Sequence, residues 1–302
     1  MAFTITIPGI IRLVVVMTPD EVLAVNDASM VERSLSGRGG LVNRSVAAKL
    51  AVFRTPDGDI WPAFRDRLDP LRAAHQEALE AALSNVGPLL RRIAPEIAEL
   101  GSYVRTGAAH RSTGVIVQQA VGRLFFADYA ASEESYDAAR MLQSWLTAGP
   151  LRTFWLKRSG ALQASLDRIM DLSRGNMACA HATAIAMDNI VRSIELMRRL
   201  ARHGDNLAKI GPQDALSHSL RAPARVVREA RDGGCAGTVR LRARSLVLLA
   251  VESARRQRPD PTFAFFASAW NRCPAHSVVP VLLAEVWQTA RADTGGCAPT
   301  TP

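Results

Sequence analysis

Apolar and polar positions alternate weakly along the start of the chain, and residues 3–16 are rich in Ile, Val and Thr, which predicts two short strands around Pro8 and Gly9. A helix is expected from Thr18-Pro19-Asp20, where Thr18 caps and Pro19 fits a first turn that needs no backbone N–H. From Asp59 to about Arg202 the period changes to three and four, as in Leu79, Leu83, Val86 and Leu90, and again in Ile190, Ile194, Met197 and Leu200. Breaks at Gly87-Pro88, Gly149-Pro150 and Gly204-Asp205 divide this run into helices. After Pro212 the pattern predicts a short helix ending near Arg221, a strand over residues 224–227, a turn at Asp232-Gly233-Gly234 and a second β stretch over 238–251. An irregular segment over 255–272 and a helix from Pro274 to about Arg291 follow, and residues 293–302 read as a disordered tail. The whole predicts a mainly α fold with a small β portion. No linker interrupts residues 1–292, so a single domain is expected there.

Composition narrows the function classes. The chain has 302 residues, 48% of them hydrophobic, enough for a substantial core, and its 16 prolines and 20 glycines are too few for a fibrous or low-complexity protein. The longest apolar run, residues 10–17 with Arg12 inside it, falls far short of the roughly 20 residues a membrane helix needs. The start of the chain lacks the basic, apolar and small-residue succession of a secretory signal, so a cytoplasmic location and no membrane partner are expected. The net charge of +9 is scattered along helices among acids, with no basic tail and no helix-turn-helix pattern, which argues against nucleic acid. A solvated basic face also suits an acidic electron-transfer partner. Cysteines 179, 235, 273 and 297 form no CxxC pair, which excludes a disulfide framework and a structural zinc site and leaves any cysteine chemistry to a single thiol.

The sharpest local feature is Phe266-Ala-Ser-Ala-Trp-Asn-Arg-Cys273-Pro274-Ala275, which runs straight into an apolar helix. A cysteine set before a helix that starts with proline faces unsatisfied N–H groups and the positive end of the helix dipole, which favours the thiolate. A soft thiolate held in this way suits the axial position of heme iron; a buried structural cysteine is the plain alternative.

This segment resembles the heme loop of the cytochromes P450, Phe-x-x-Gly-x-x-x-Cys-x-Gly, matching it at Phe266, Cys273 and Pro274, with Ala269 and Ala275 in place of the glycines. The family's basic residue two positions before the cysteine is Asn271 here, and Arg272 is displaced by one. Trp61-Pro-Ala-Phe-Arg65 is similar to the Trp-x-x-x-Arg of the family's helix C. At i, i+4 an indole N–H and a guanidinium share one helix face and bind one carboxylate, which the resemblance implies is a heme propionate. The stretch from Leu220 to Leu249 resembles helix K and the strands after it, which implies that Arg228 reaches the second propionate. His218 stands where the glutamate of Glu-x-x-Arg belongs, and most of the meander before the cysteine is missing.

Two segments compete for the oxygen-activating helix. Cys179-Ala-His181-Ala182-Thr183-Ala184 resembles Ala-Gly-x-Asp/Glu-Thr-Thr with Ala182 in place of the acid. Counting back from Leu200-Ala-Arg-His203 selects Ala184-Ile-Ala-Met-Asp188-Asn189 instead, with Asp188 at the threonine position. Thr183 and Asp188 are therefore alternative catalytic candidates for proton delivery. The resemblance implies a P450-like fold shortened at the N-terminus, the meander and the C-terminal strands. It further implies heme b ligated by Cys273 and contacted by Trp61, Arg65, Arg228, Phe266 and Arg272. The expected activity is that of a heme-thiolate oxidoreductase, either monooxygenase-like or using peroxide or an already oxidised substrate. It would act on a small organic molecule in specialised metabolism, with a ferredoxin-type electron donor. A homo-oligomer stays open, since a second copy is one way to cover the pocket that the missing final strands expose. The alternative is a degenerate relative that serves another enzyme as a structural or activating partner.

Overall fold

The expected strand pair at the start of the chain forms around a tight turn, in which Gly9 takes φ +71° and the Ile10 amide donates to the Ile7 carbonyl at 3.1 Å. In the computed structural model, which describes residues 2–33, 35–54, 57–203, 205–258 and 260–292, seven strands occur. They are β1 (Ala2–Ile7), β2 (Ile11–Val16), β3 (Val31–Glu32), β4 (Val226–Ala230), β5 (Gly234–Ala236), β6 (Val239–Leu241) and β7 (Leu246–Leu249). One five-stranded sheet has the order β1-β2-β7-β4-β3, and β5 pairs with β6 in a separate hairpin. β7 runs parallel to β2 and antiparallel to β4, so both its edges are paired, and its unbroken Leu-Val-Leu-Leu is the sequence mark of a central strand.

The second β stretch expected over 238–251 divides in two. Arg244 adopts φ +63°, and the Ser245 amide closes a turn onto the Arg242 carbonyl at 3.1 Å, so β6 and β7 belong to different sheets. The strand expected at 224–227 extends instead through the charged pair Arg228-Glu229, because pairing with β7 on one side and β3 on the other holds polar residues in place. The segment expected to be irregular carries the helix Val251–Gln257 and the short helix Pro261–Ala264.

Two helix starts also move, and proline sets both. The stretch from Asp59 to Asp69 is not α-helical: Trp61 is extended at φ −57°, ψ 141°, one 3-10 turn spans Pro62–Phe64, Arg65 is extended again, and the helix begins only at Pro70. A residue before proline avoids the α region, so Trp61 and Asp69 bracket a segment too short to sustain a helix. Trp61 and Arg65 therefore do not meet across helical turns. Similarly, Cys273 precedes a single 3-10 turn, Pro274–His276, and the α-helix Val279–Ala292 starts later. Pro280 fits a first helical turn, whereas in a helix begun at 274 it would remove an interior hydrogen bond. The dipole expected to act directly on Cys273 thus belongs to a helix that starts six residues further on.

The chain packs as two compact units, Met1–Leu79 with Ala222–Pro274, and Glu80–Arg221 with Ala275–Pro302. Each is discontinuous in sequence, which is why no linker marks the division; the tail over 293–302 lies outside the described residues. The first unit is built on the five-stranded sheet, with the helix Pro19–Asp27 against Val251–Gln257 and an aromatic cluster in which Phe53 lies 5.1 Å from both Trp61 and Phe64. The second is helical. Met187–Ala201 packs against Ala94–Thr106, Thr113–Phe125, Pro212–Ser219 and Val279–Ala292, with Leu100, Ile116, Ile194, Met197 and Trp287 wholly buried. Gly101 is required where two of these helices touch, since a Cβ there would stand 2.8 Å from Thr289. No helix among the described residues is long and apolar enough to cross a membrane.

Two expected outcomes follow from the first unit. Phe53→Ala should cost about 3–5 kcal/mol in urea unfolding, since a fully buried ring packed against two others leaves a cavity. Glu32 is 3% exposed and pairs across strands with Glu229, and burial raises its pKa although the Arg67 amide donates to its Oε2 at 3.1 Å. A carboxyl with a raised folded pKa binds protons more tightly when folded, so its contribution falls as pH rises through that pKa. Glu32→Gln should therefore be more stable than the wild type at pH 7, and the difference should vanish at acid pH. A variant equally or less stable at neutral pH would contradict this.

Candidate functional site

The loop that carries Cys273 is closed by its own backbone. Asp260 caps the short helix Pro261–Ala264 by accepting from the Thr262 amide at 2.8 Å. Phe266 then takes the left-handed position, φ +50°, and donates to Phe263 while Ala267 donates to Thr262, both at 3.1 Å: the hydrogen-bond pattern of a Schellman end, with phenylalanine where glycine is usual. The Phe266 ring is buried against Phe263, 6.2 Å between centroids. From there the Ala269 amide donates to Phe266 at 2.8 Å, Arg272 to Ala269 at 3.1 Å and Cys273 to Phe265 at 2.8 Å. The loop thus forms with alanine at 269, and the half-buried Cys273 thiol is in no disulfide. Arg272 is exposed, and its carbonyl accepts from Gln76 Nε2 at 3.0 Å.

Around Trp270, three positions before the cysteine, the first unit gathers arginines. The guanidinium carbons of Arg72, Arg67 and Arg33 lie 4.5, 4.7 and 5.7 Å from the centroid of its ring. The indole N–H donates to the Asn26 carbonyl at 3.0 Å, and the Asn26 and Asn271 side chains exchange two hydrogen bonds at 2.7 and 2.8 Å. Arg228, on β4 and 6% exposed, donates to Asn26 Oδ1 at 3.3 Å and to the Val227 carbonyl at 3.0 Å. Arg72, equally buried, donates to the Arg65 carbonyl at 3.0 Å. Arg33 donates to the Ala63 carbonyl at 2.7 Å and to the Asn271 carbonyl at 3.1 Å, which ties the turn after Trp61 to the cysteine loop. Arg65 differs from these: its Nη1 is 2.9 Å from Asp69 and its Nη2 3.6 Å from Asp59, so carboxylates of the chain itself engage it.

Among the described residues, the hydrogen bonds of Arg33, Arg72 and Arg228 go to neutral acceptors. Burial pushes all three guanidinium pKa values down; the charges of Arg228 and Arg72 add to this at Arg33, and that of Arg72 at Arg228. An arginine stays protonated in proteins, so the depression measures an unfavourable field rather than a titration. The site has a soft thiol beside arginines whose hydrogen bonds, among the described residues, all go to neutral acceptors, and the charges of Asp66 and Glu32 offset their burial only in part. Iron protoporphyrin fits this donor set, since it brings a metal that takes a thiolate and two carboxylates that match guanidinium geometry.

The other two candidates lie in the second unit. A π turn, Ala182–Ala186, separates the helix Met177–His181 from Met187–Ala201. Thr183 sits in this turn, fully buried, and its hydroxyl donates to the Cys179 carbonyl at 2.8 Å. Gln118 Nε2 donates to the Thr183 carbonyl at 3.1 Å and Gln143 Nε2 to the Ala184 carbonyl at 2.8 Å, so side chains capture acceptors that the π turn leaves unmatched. Asp188 lies beyond the turn in regular helix, partly exposed and 2.7 Å from Arg192. His218 is exposed, its Nδ1 2.7 Å from the Asp214 carbonyl.

Trp61, Arg65, Arg228, Phe266 and Cys273 thus share one unit, whereas Thr183 and Asp188 belong to the other. Sequence reasoning missed Arg33, Arg72, Trp270 and Asn26. Their one signal was arginine density after Trp61, at 65, 67 and 72; nothing local marks Arg33.

No family model matches the chain, and no curated protein matches it. Solved structures do. The chain is similar to CYP175A1 from Thermus thermophilus at 13% identity and TM-score 0.63, covering 96% of this chain and 83% of that one. It is similar to Mycobacterium smegmatis CYP164A2 with econazole bound at 16% identity and TM-score 0.62, covering 96% and 87%. It also resembles the P450 RauA complexed with a biosynthetic intermediate of aurachin RE, at 10% identity and TM-score 0.61, covering 93% and 84%. These are cytochrome P450 structures, and their agreement over nearly the whole length establishes that this chain has the cytochrome P450 fold.

Proposed function

We propose that the chain binds heme b through the Cys273 thiolate and works as a heme-thiolate oxidoreductase on a small organic molecule. The observation that carries this reading is the set of arginines whose hydrogen bonds go to neutral acceptors, the buried Arg72 and Arg228 and the half-buried Arg33, in the same unit as the closed loop that presents Cys273. When bound, heme would supply the redox chemistry, and Cys273 with the neighbouring arginines would hold and orient it.

In this role Cys273 provides the sulfur, and its amide bond to the Phe265 carbonyl fixes the backbone from which the sulfur projects. Arg228 supplies a carboxylate contact from a rigid strand. Arg65 supplies one on exchanging its contacts with Asp59 and Asp69, and the buried Trp61 packs the turn that carries it. Phe266 walls the loop, and Arg272, exposed, contributes charge at its rim.

Proton handling separates the forms of the reaction. The Thr183 hydroxyl is committed to a backbone carbonyl and Asp188 to Arg192, so neither offers an unengaged acid. That favours peroxide or an already oxidised substrate as the oxidant over dioxygen activated with electrons from a ferredoxin-type donor. A substrate from specialised metabolism is supported by RauA, whose bound molecule is a biosynthetic intermediate. A second reading, a P450-like chain that supports another enzyme without turnover of its own, is favoured by the same commitments of Thr183 and Asp188. Retention of the cysteine loop together with arginines that hydrogen-bond only neutral acceptors among the described residues favours the first.

The test is spectroscopic. Reduced, hemin-reconstituted protein should show with carbon monoxide the strongly red-shifted Soret band of thiolate ligation, and Cys273→Ala should lose that band. A wild type that takes up no heme would exclude the proposal, as would an unchanged band in the variant. Turnover driven by peroxide against turnover driven by reduced ferredoxin then separates the two oxidants.

A further inference from the structure

Arg33 joins two segments of the first unit through one guanidinium. It follows β3 directly, its guanidinium lies over the Trp270 ring, and two of its nitrogens hold the Ala63 and Asn271 carbonyls, while its buried Nε has no hydrogen-bond partner among the described residues. The Nε of Arg228 is likewise buried without one. Arg72 lies over the same ring, anchored on the Pro62 and Arg65 carbonyls at 3.4 and 3.0 Å. Three cations are thus held near one another by neutral contacts. The cation–π contacts of Arg33 and Arg72 offset only part of the desolvation involved.

We propose that Arg33, with Arg72 and Arg228, forms a preformed receptor for a dianion of two carboxylates, and that Arg33 is its central, specificity-determining member. The inference rests on the heme reading for the identity of the dianion. Nothing moves charge within the receptor: the two carboxylates arrive ionised and take the positions that neutral acceptors leave open on the guanidinium edges. Because one guanidinium grips both the turn after Trp61 and the cysteine loop, binding at Arg33 also fixes the spacing of these two segments. A site built this way is less stable empty than filled, and the strain is relieved by the ligand.

Three proteins, the wild type, Arg33→Gln and Arg33→Lys, are titrated with hemin and with hemin dimethyl ester, whose carboxylates are neutralised, and each apo-protein is unfolded in urea. The wild type should bind hemin at least about tenfold more tightly than the ester. Arg33→Gln should lose most of that preference while its apo-protein resists urea as well as the wild type or better, and Arg33→Lys should keep part of the preference. A full preference in Arg33→Gln overturns the proposal. So does an equal loss of both porphyrins with a lowered urea midpoint, which marks a purely structural residue. If the wild type takes up neither porphyrin, the heme reading fails and the receptor is read with inorganic pyrophosphate instead. A rise in melting temperature in the wild type but not in Arg33→Gln supports the receptor, and no rise in either overturns it.

Discussion

Burying a guanidinium with no carboxylate to accept its hydrogen bonds is among the more expensive arrangements a fold can hold, and the first unit does so at Arg72 and Arg228, with the half-buried Arg33 among them. Much of the first unit is arranged to permit it. The Asn26–Asn271 pair provides a neutral acceptor for Arg228 and ties the end of the helix Pro19–Asp27 to the cysteine loop. The 3-10 turn after Trp61 exposes backbone carbonyls that Arg33 and Arg72 use; a regular helix there would have consumed them internally. Central pairing of β4 keeps Arg228 in place although its side chain is charged.

The second unit bears on function differently. Its central helix is interrupted by one π turn, and the interruption is stabilised by two glutamines, one of them fully buried, that donate to the carbonyls of Thr183 and Ala184. Such a turn survives only where the surroundings satisfy the displaced backbone. Here that satisfaction comes from helices distant in sequence, with the Thr183 hydroxyl drawn into the same network.

How much of this was legible in the sequence depended on the range of the interaction that decides each feature. β1, β2 and the long amphipathic helices were legible because their periodicity is local. The cysteine loop was legible as a motif, and the similarity to solved cytochrome P450 structures bears out the fold it implied. The helix placed over Trp61 and Arg65 failed because two prolines outweigh apolar spacing, and the helix placed at Pro274 failed because Pro280 sets the later start. The two halves of the β stretch over 238–251 looked continuous because the left-handed turn at Arg244 carries no glycine to announce it. Arg33 was invisible for a stronger reason. Its partners Ala63 and Asn271 offer only backbone carbonyls, which any residue possesses, at separations of 30 and 238 residues.

If segments scattered through the first unit form a single cofactor site, one ligand should order all of them. Hydrogen exchange measured with and without stoichiometric hemin reads this out segment by segment. Amides around Asn26 and Arg33, along residues 61–72, in β4 and over residues 265–273 should gain protection together. Protection confined to other segments, or none at all in the presence of bound hemin, would contradict it.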